Sequence, residues 1–520
     1  VEGSRKDEVT EQTPFLRRVL KSFLFFGAGN TGTRVLGAVA LIYALKELSQ
    51  AELGLATLVM AILAIVQAAT ELGLGAALVQ RKELTRQQLD SLFWVSLVLS
   101  GGVYALIVLT APLVASFYDS PELAPMLGVY GSAVVIAALF VVPRNLMVRE
   151  LQFGRLAIID NVAAIGGALT LVVLVYRGYG AWSIVLGELV TKLVQLVLCQ
   201  VAVRYVPKWH FDYQQVRSMV NFGMYVTGSR LLYNVYVNSD YLVVGKLFGG
   251  EVLGIYGFAY KFVSDTVKAL ASITNAVAYP TFAKVSGELE RLRSYFFGIA
   301  RASMMLVGTV LVVLALHAEG LLSAVGYDQW LPSVPYIQLF SIVGVLRCVS
   351  PLVPQLLNAT GQARLNFFYS LSNAIFMPAA FVIGGMFGPF GVAYAWVTAY
   401  PLVVLLLFWF GARVLEMPLS GFVLKTFSGA LILPVVAGMT LAYQVGLAPM
   451  LAGWPVLSLA VGVLVTVATG LGLVWKLQGR AVLAILKKKA PPTASDAQRL
   501  DPTPSERSSE ATELPAERPR

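Results

Sequence analysis

The sequence predicts an all-α, polytopic membrane protein of about fourteen transmembrane helices, built as two pseudo-symmetric six-helix lobes followed by two further helices. Three observations carry this. First, 57% of the 520 residues are apolar and only 13% charged, with a mean hydropathy of +0.73; a soluble domain carries roughly twice that charged fraction. Second, about fourteen windows reach the roughly 20 mostly apolar residues that a helix needs to cross a bilayer. None alternates apolar with polar residues as the strand of a membrane barrel does. Third, the chain repeats itself.

The windows fall at 22–45, 52–78, 90–115, 124–142, 153–176, 181–203, 218–242, 252–280, 294–317, 332–357, 366–387, 390–412, 425–446 and 454–475. The first is too long and too interrupted by polar residues for a cleavable signal peptide, and no small-residue cleavage site follows it. The second ends on Glu71-Leu72-Gly73-Leu74-Gly75, which has the outline of half a dinucleotide loop; it closes a membrane span and no strand precedes it, so a nucleotide site is rejected. The expected organisation is a cytoplasmic segment 1–21, a first lobe 22–205 (helices 1–6), a second lobe 206–415 (helices 7–12), helices 13 and 14 within 416–480, and a tail 481–520. The tail is rich in Pro, Ser, Thr, Glu and Arg without apolar periodicity, the composition of disorder.

The repeat is legible residue by residue. Phe26-Gly27 and Thr31-Gly32-Thr33-Arg34-Val35-Leu36 recur as Phe222-Gly223 and Thr227-Gly228-Ser229-Arg230-Leu231-Leu232, an offset of 222 − 26 = 196. Leu53-Gly54-Leu55 recurs as Leu253-Gly254-Ile255, offset 200, and Tyr118-Asp119 and Arg155-Leu156 recur as Tyr327-Asp328 and Arg364-Leu365, offset 209. The offset grows in steps, as loop insertions produce. An even number of spans separates equivalent helices, so the lobes should be related by an axis along the membrane normal. Parallel-repeat transporters have that arrangement, with substrate between the lobes.

The formal net charge is +10. Lys and Arg sit between apolar runs rather than in one aromatic-flanked patch, which argues against nucleic acid and for membrane topology. With the N-terminus inside, 25 cationic residues fall on cytoplasmic ends and loops, and only Lys46, Arg177 and Lys246 on the other side. That asymmetry places both termini in the cytoplasm. Cys199 and Cys348 lie in apolar stretches, and His210 and His317 lie far apart, so neither a disulfide framework nor a metal cluster is expected, and no cofactor. His210 is expected in a cytoplasmic loop and His317 at the outer end of the ninth span, both solvated.

Ionisable residues inside spans usually face a polar cavity or a partner. Arg34, Asp160, Glu188, Lys192, Arg230, Lys261, Asp265, Lys268, Arg301 and Arg347 fall within the windows; these ten are seven bases and three acids. Arg34 and Arg230 are duplicated by the repeat. Asn30 lies one turn from Arg34; Thr227, Arg230 and Asn234 share a helical face, as do Lys261, Asp265 and Lys268. Such a wall suits an anionic substrate with many hydroxyls, Arg forking onto phosphate oxygens and Asn and Thr bonding sugar hydroxyls. The competing reading makes Lys261–Asp265 and Glu188–Lys192 internal ion pairs. Arg34, Arg230, Arg301 and Arg347 have no acid within four residues and need a ligand, a lumen or a distant partner. Asp160, Glu188 and Asp265 are the candidates for binding a coupling proton or sodium ion.

The stretches Glu71–Lys82 (ELGLGAALVQRK), Phe117–Glu122 (FYDSPE), Gly178–Trp182 (GYGAW), Asn238–Gly245 (NSDYLVVG), Leu253–Tyr256 (LGIY) and Asn358–Gln362 (NATGQ) follow in order. In that order and spacing, over most of residues 15–415, the chain resembles the polysaccharide-transporter branch of the multidrug/oligosaccharidyl-lipid/polysaccharide exporter superfamily. The resemblance implies a Wzx-type flippase in the bacterial inner membrane, not an enzyme, that turns undecaprenyl-diphosphate-linked oligosaccharide units across the bilayer. It also implies a twelve-helix, two-lobe core with two appended helices. A polysaccharide polymerase and chain-length and export proteins are the partners expected. Two rivals stand beside it. A cation-coupled drug exporter of the same superfamily would favour acidic and aromatic lumen residues. A membrane polysaccharide polymerase or ligase would use a large external loop, whereas the external loops expected here are about 15 residues or shorter.

Overall fold

A computed structural model describes residues 37, 39–70, 84–451 and 453–487. Among these the chain is helical, joined by turns and short 3-10 segments, with no strand. The described part of the first expected span is α1 (39–47), followed by α2 (Gln50–Thr70), α3 (Arg86–Phe117), α4 (Leu123–Arg149), α5 (Phe153–Tyr176) and α6 (Trp182–Val203). Local chemistry sets several boundaries. At the start of α3 the Thr85 hydroxyl accepts from the Gln88 N–H while the Gln88 side chain accepts from the Thr85 N–H, satisfying two otherwise orphaned donors. Between α5 and α6 the chain turns on Gly178 (φ 78°) and Gly180 (φ 52°), a left-handed backbone that favours glycine.

The seventh and eighth spans form one 72-residue element, α7 (Tyr213–Lys284), bent at Gly249 (φ 80°, ψ −177°) into arms 213–248 and 250–284. Then come α8 (Leu289–Ala324), α9 (Val334–Val349), α10 (Leu352–Ala359), α11 (Ala363–Gly385) and α12 (Pro389–Val414). The chain continues as α13 (Leu419–Thr426), α14 (Leu433–Gly446) and α15 (Pro455–Lys487). The window 332–357 is thus not one helix: it breaks at Ser350-Pro351, where proline removes an N–H and disfavours helix at the preceding residue. The window 425–446 is interrupted by a 3-10 segment, Phe427–Ile432. The last helix runs through Lys487, past the tail boundary placed at 480.

Twelve described helices are long and apolar enough to cross a membrane. Their outward faces are greasy: Leu109, Leu113 and Val98 on α3 are 75%, 70% and 71% exposed. Water would penalise this surface at about 25 cal/mol per Å²; hydrocarbon does not, and lipid is its solvent. The main core runs from the first half into the second, where Trp330, Trp396, Tyr256, Phe296 and Phe408 are fully buried.

In the first half α3 packs on α4 and α5 on α6; in the second, α8 packs on α9 and α11 on α12, with α7 touching both groups. The last helices lean on α8, where Gly470 meets Thr309 and Gly462 meets His317 and Tyr443. His317 is therefore not a solvated histidine at a helix end. It is 6% exposed, seven residues inside α8, with Nε2 3.3 Å from the Thr466 hydroxyl.

The halves meet chiefly where α2 crosses α7, close to its bend. A Cβ at Gly54 would lie 1.8 Å from the Gly250 carbonyl oxygen, and one at Gly254 1.9 Å from that of Gln50. Only glycine permits this approach of backbone to backbone. Side chains seal the same end. Trp330 Nε1 and Gln329 Nε2 donate to the Leu45 carbonyl at 2.7 and 2.8 Å, Tyr327 donates to the Ile42 carbonyl, and Lys246 pairs with Asp119 at 3.0 Å. The Tyr118 hydroxyl, beyond the end of α3, is pushed up to about 12 by burial and keeps the proton it donates to the Leu242 carbonyl at 3.4 Å.

Candidate functional site

Away from that crossing, the contact face of α7 changes character. Gly250, Gly254 and Gly257 touch α2, and helical steps of four, four and three carry the same stripe on to Lys261, Asp265 and Lys268. Those three side chains are all more than half exposed, so the stripe continues into open space facing the first half. Lys261 Nζ lies 2.8 Å and Lys268 Nζ 3.7 Å from the Asp265 carboxylate. Two lysines share one acid, leaving a net positive charge.

The other arm does the same. Gly245 packs against Leu58 of α2, and seven and eleven residues back on that face stand Asn238 and Asn234, then Arg230. Asn238 Nδ2 donates to the Asn234 carbonyl at 2.8 Å and Asn234 Nδ2 to that of Arg230 at 2.9 Å. Arg230 is exposed. Thr227 departs from the shared face expected of it: it is buried, and its hydroxyl has no hydrogen-bond partner. Arg34 and Asn30 lie outside the described residues.

Behind the stripe, within the second half, is a cavity of about 330 Å³. Lys268 and Tyr233, both exposed, stand at its mouth; Tyr236, Tyr369, Tyr400 and Asn373 form its wall. Its cation is Arg347, held in α9 one turn before the Ser350-Pro351 break. The guanidinium carbon sits 4.9 Å from the ring centres of both Tyr260 and Trp396, and Nη1 donates to the Ser264 hydroxyl at 3.1 Å. Cation–π contact on two rings replaces part of the hydration that burial removes. No carboxylate comes within ion-pair distance of it among the described residues.

The remaining candidates have other surroundings. Arg301 donates from Nε to the Ser428 hydroxyl at 3.1 Å, on the side of the appended helices. Asp160 receives a bidentate contact from Arg144, at 2.8 and 2.9 Å, and an amide bond from Gln195 at 3.0 Å. Glu188 is exposed and forms no ion pair with Lys192 among the described residues. A further in-span acid joins the three expected. Asp240, inside the seventh window, is 0% exposed and accepts from Tyr256 at 2.9 Å and from Trp396 Nε1 at 3.1 Å. An acid within an apolar window is the signal that marks it. The aromatic wall had no such signal, because tyrosines on separate elements meet only after folding.

A family model described as "Polysaccharide biosynthesis protein" matches residues 47–335. The chain belongs to this family. Among relatives of the polysaccharide biosynthesis protein family, the lipopolysaccharide biosynthesis protein WzxC of Escherichia coli (strain K12) is 27% identical over 360 residues, 69% of this chain and 73% of the relative. The teichuronic acid biosynthesis protein TuaB of Bacillus subtilis (strain 168) is 28% identical over 369 residues, 68% and 74% of the two chains. The fold is similar to that of the lipid II flippase MurJ in an inward closed conformation, with a TM-score of 0.67 at 13% identity over 87% of this chain and 99% of that one. The family match takes in the α2–α7 crossing and the Lys261–Lys268 stripe; Arg347, Tyr369 and Trp396 lie beyond it.

Proposed function

We propose that the protein is a flippase that carries undecaprenyl-diphosphate-linked oligosaccharide units across the bacterial inner membrane for exopolysaccharide, capsule or O-antigen assembly. The observation that carries this is the two-faced stripe on α7: glycines that seal one end against α2, then lysines, asparagines and an arginine turned toward the opposite half. Membership in the family, and relatives named for lipopolysaccharide and teichuronic acid biosynthesis, support it. A diphosphate needs cations, a sugar needs a wet cleft, and a polyprenyl tail can stay in lipid beside it. The same stripe repels the organic cations that a drug exporter would carry.

The mechanism is alternating access between lobes 22–205 and 206–415, with helices 13 and 14 appended, fourteen spans in all. The sealed end carries Lys46, Arg177 and Lys246 and faces outward; both termini are cytoplasmic, so the cleft opens where the substrate is made. Arg34 and Arg230 hold the diphosphate, with Lys261 and Lys268 beside them. Asp160, Glu188 or Asp265 binds a proton or sodium ion, and a polymerase with its chain-length and export proteins takes the product.

Three experiments test this. In proteoliposomes holding an undecaprenyl-diphosphate oligosaccharide, the glycan should become accessible to an impermeant glycosidase at a rate that depends on the protein; access no faster than in empty liposomes overturns the flippase. In spheroplasts an impermeant thiol reagent should reach Ser120→Cys and fail at Gln88→Cys; the reverse pattern inverts the topology. Ion flux coupled to substrate should fall in at least one of Asp160→Asn, Glu188→Gln and Asp265→Asn. Wild-type flux in all three removes them as coupling groups.

A further inference from the structure

The flippase reading places the diphosphate in the cleft and leaves the cavity under Arg347 without an occupant. Resting on that reading, we infer that this cavity takes one carboxylate-bearing sugar of the oligosaccharide, a uronic acid or its chemical equivalent, with the carboxylate on Arg347. The size is right for one small unit: about 330 Å³ lies at the low end of the roughly 300–1,000 Å³ of ligand pockets. The position is right as well. Lys268 belongs both to the cleft stripe and to the mouth of the cavity, so a sugar tethered to a diphosphate in the cleft can enter.

Three features of the wall select the ligand together. Arg347 rests on the adjoining Tyr260 and Trp396 rings and spends one donor on Ser264, which leaves other N–H groups for an acceptor. The buried acid Asp240 is engaged by Tyr256 and Trp396 and forms no ion pair with Arg347. Asn373, 1% exposed, gives its amide N–H to the Tyr369 carbonyl while its side-chain oxygen has no donor. Such an acceptor wants a hydroxyl. Tyr233, Tyr236, Tyr369 and Tyr400 add apolar ring faces with polar tips.

Each simpler ligand fails one of these features. Inorganic phosphate or diphosphate answers Arg347, and its remaining P–OH can answer Asn373, but it offers the rings no C–H face. A neutral hexose answers Asn373 and the rings and leaves a buried guanidinium unpaired. A sugar acid answers all three.

The test uses the full chain in nanodiscs and three probes: D-glucuronate, D-glucose and inorganic pyrophosphate, with binding followed by ligand-observed NMR. Wild type should bind glucuronate about tenfold or more tightly than glucose, the worth of one charge-assisted contact. Pyrophosphate should bind without displacing glucuronate. Arg347→Gln should erase the preference for the acid and leave pyrophosphate binding unchanged; Asn373→Leu should weaken both sugars alike. This comparison of ligands on the wild-type protein holds even if a variant fails to fold. Equal binding of glucuronate and glucose overturns the inference. So does competitive displacement of glucuronate by pyrophosphate, which would make the cavity a phosphate site. Transport separates this failure from that of the flippase: glycans ending in glucose and in glucuronate, flipped at equal rates, refute the cavity's role alone, whereas no flipping of either refutes the flippase.

Discussion

The two halves repeat one plan and treat charge in opposite ways. Val142-Pro143-Arg144 near the end of α4 matches Val353-Pro354-Gln355 in α10, and Asp160 in α5 matches Tyr369 in α11 at the same offset of 209 as Arg155 and Arg364. In the first half Arg144 and Asp160 close on each other in a bidentate pair. In the second half both partners are gone. Gln355 bonds Asn275 at 3.1 Å, Tyr369 lines a cavity, and the cation has moved to Arg347, held by rings instead of an acid. A paired charge is a strut; a charge held by aromatic rings is available to a ligand. The duplication therefore leaves a closed ion pair in the first half and, in the second, a ring-held cation beside a cavity.

The largest effect should come from the one place where the halves touch as equals. Gly54→Leu or Gly254→Leu puts a side chain where the opposing backbone already lies within 2 Å of a Cβ. The sealed end cannot re-form, and flipping should stop with normal protein levels. An impermeant thiol reagent applied from outside should then label Asn234→Cys faster than it does in the parent protein. Wild-type flipping in Gly54→Leu would mean that this crossing is not the outer seal.

Next come Arg34 and Arg230, the arginines duplicated in the sequence repeat. Each Ala substitution should remove a charge-assisted contact of roughly 1.5–3 kcal/mol. Binding should weaken about ten- to a hundredfold per site, and Lys should rescue in part because it lacks the planar fork. Polymer export in a deletion strain, normalised to folded protein in the membrane, is the measurement. Normal export by the double mutant would shift the diphosphate to Lys261, Lys268 and Arg347 and sharpen the asymmetry between halves.

Much of this fold was legible because lipid imposes simple rules. Window length needs no tertiary knowledge, and the described helices follow the windows from α2 to α12 except where the tenth is broken. What failed was local or long-range. Proline breaks cut the tenth window because hydropathy does not see a missing N–H. His317 looked solvated because nothing near it in sequence announces Thr466, 149 residues away. Of the site, the stripe at Lys261, Asp265 and Lys268 was readable from helical spacing. The cavity was not, since Tyr236, Arg347, Tyr369 and Tyr400 come from four helices and tyrosine is unremarkable in each.

The smallest expected effect concerns the first half as scaffold. Arg144→Leu should leave Asp160 with only the Gln195 amide and cost about 1.5–3 kcal/mol, the range for a hydrogen bond to a charged group. The double variant Arg144→Leu, Asp160→Leu should recover part of the loss, because no unpaired charge is left in an apolar setting. Thermal unfolding in detergent measures both, and flipping per folded molecule should stay close to wild type in the double variant. That last readout decides the comparison. If the double variant is stable but inactive, then Asp160 does more than brace α4 against α5, and the first half carries the coupling ion while the second carries the sugar. If it is stable and active, the pair is a strut, and Asp160 leaves the set of coupling acids.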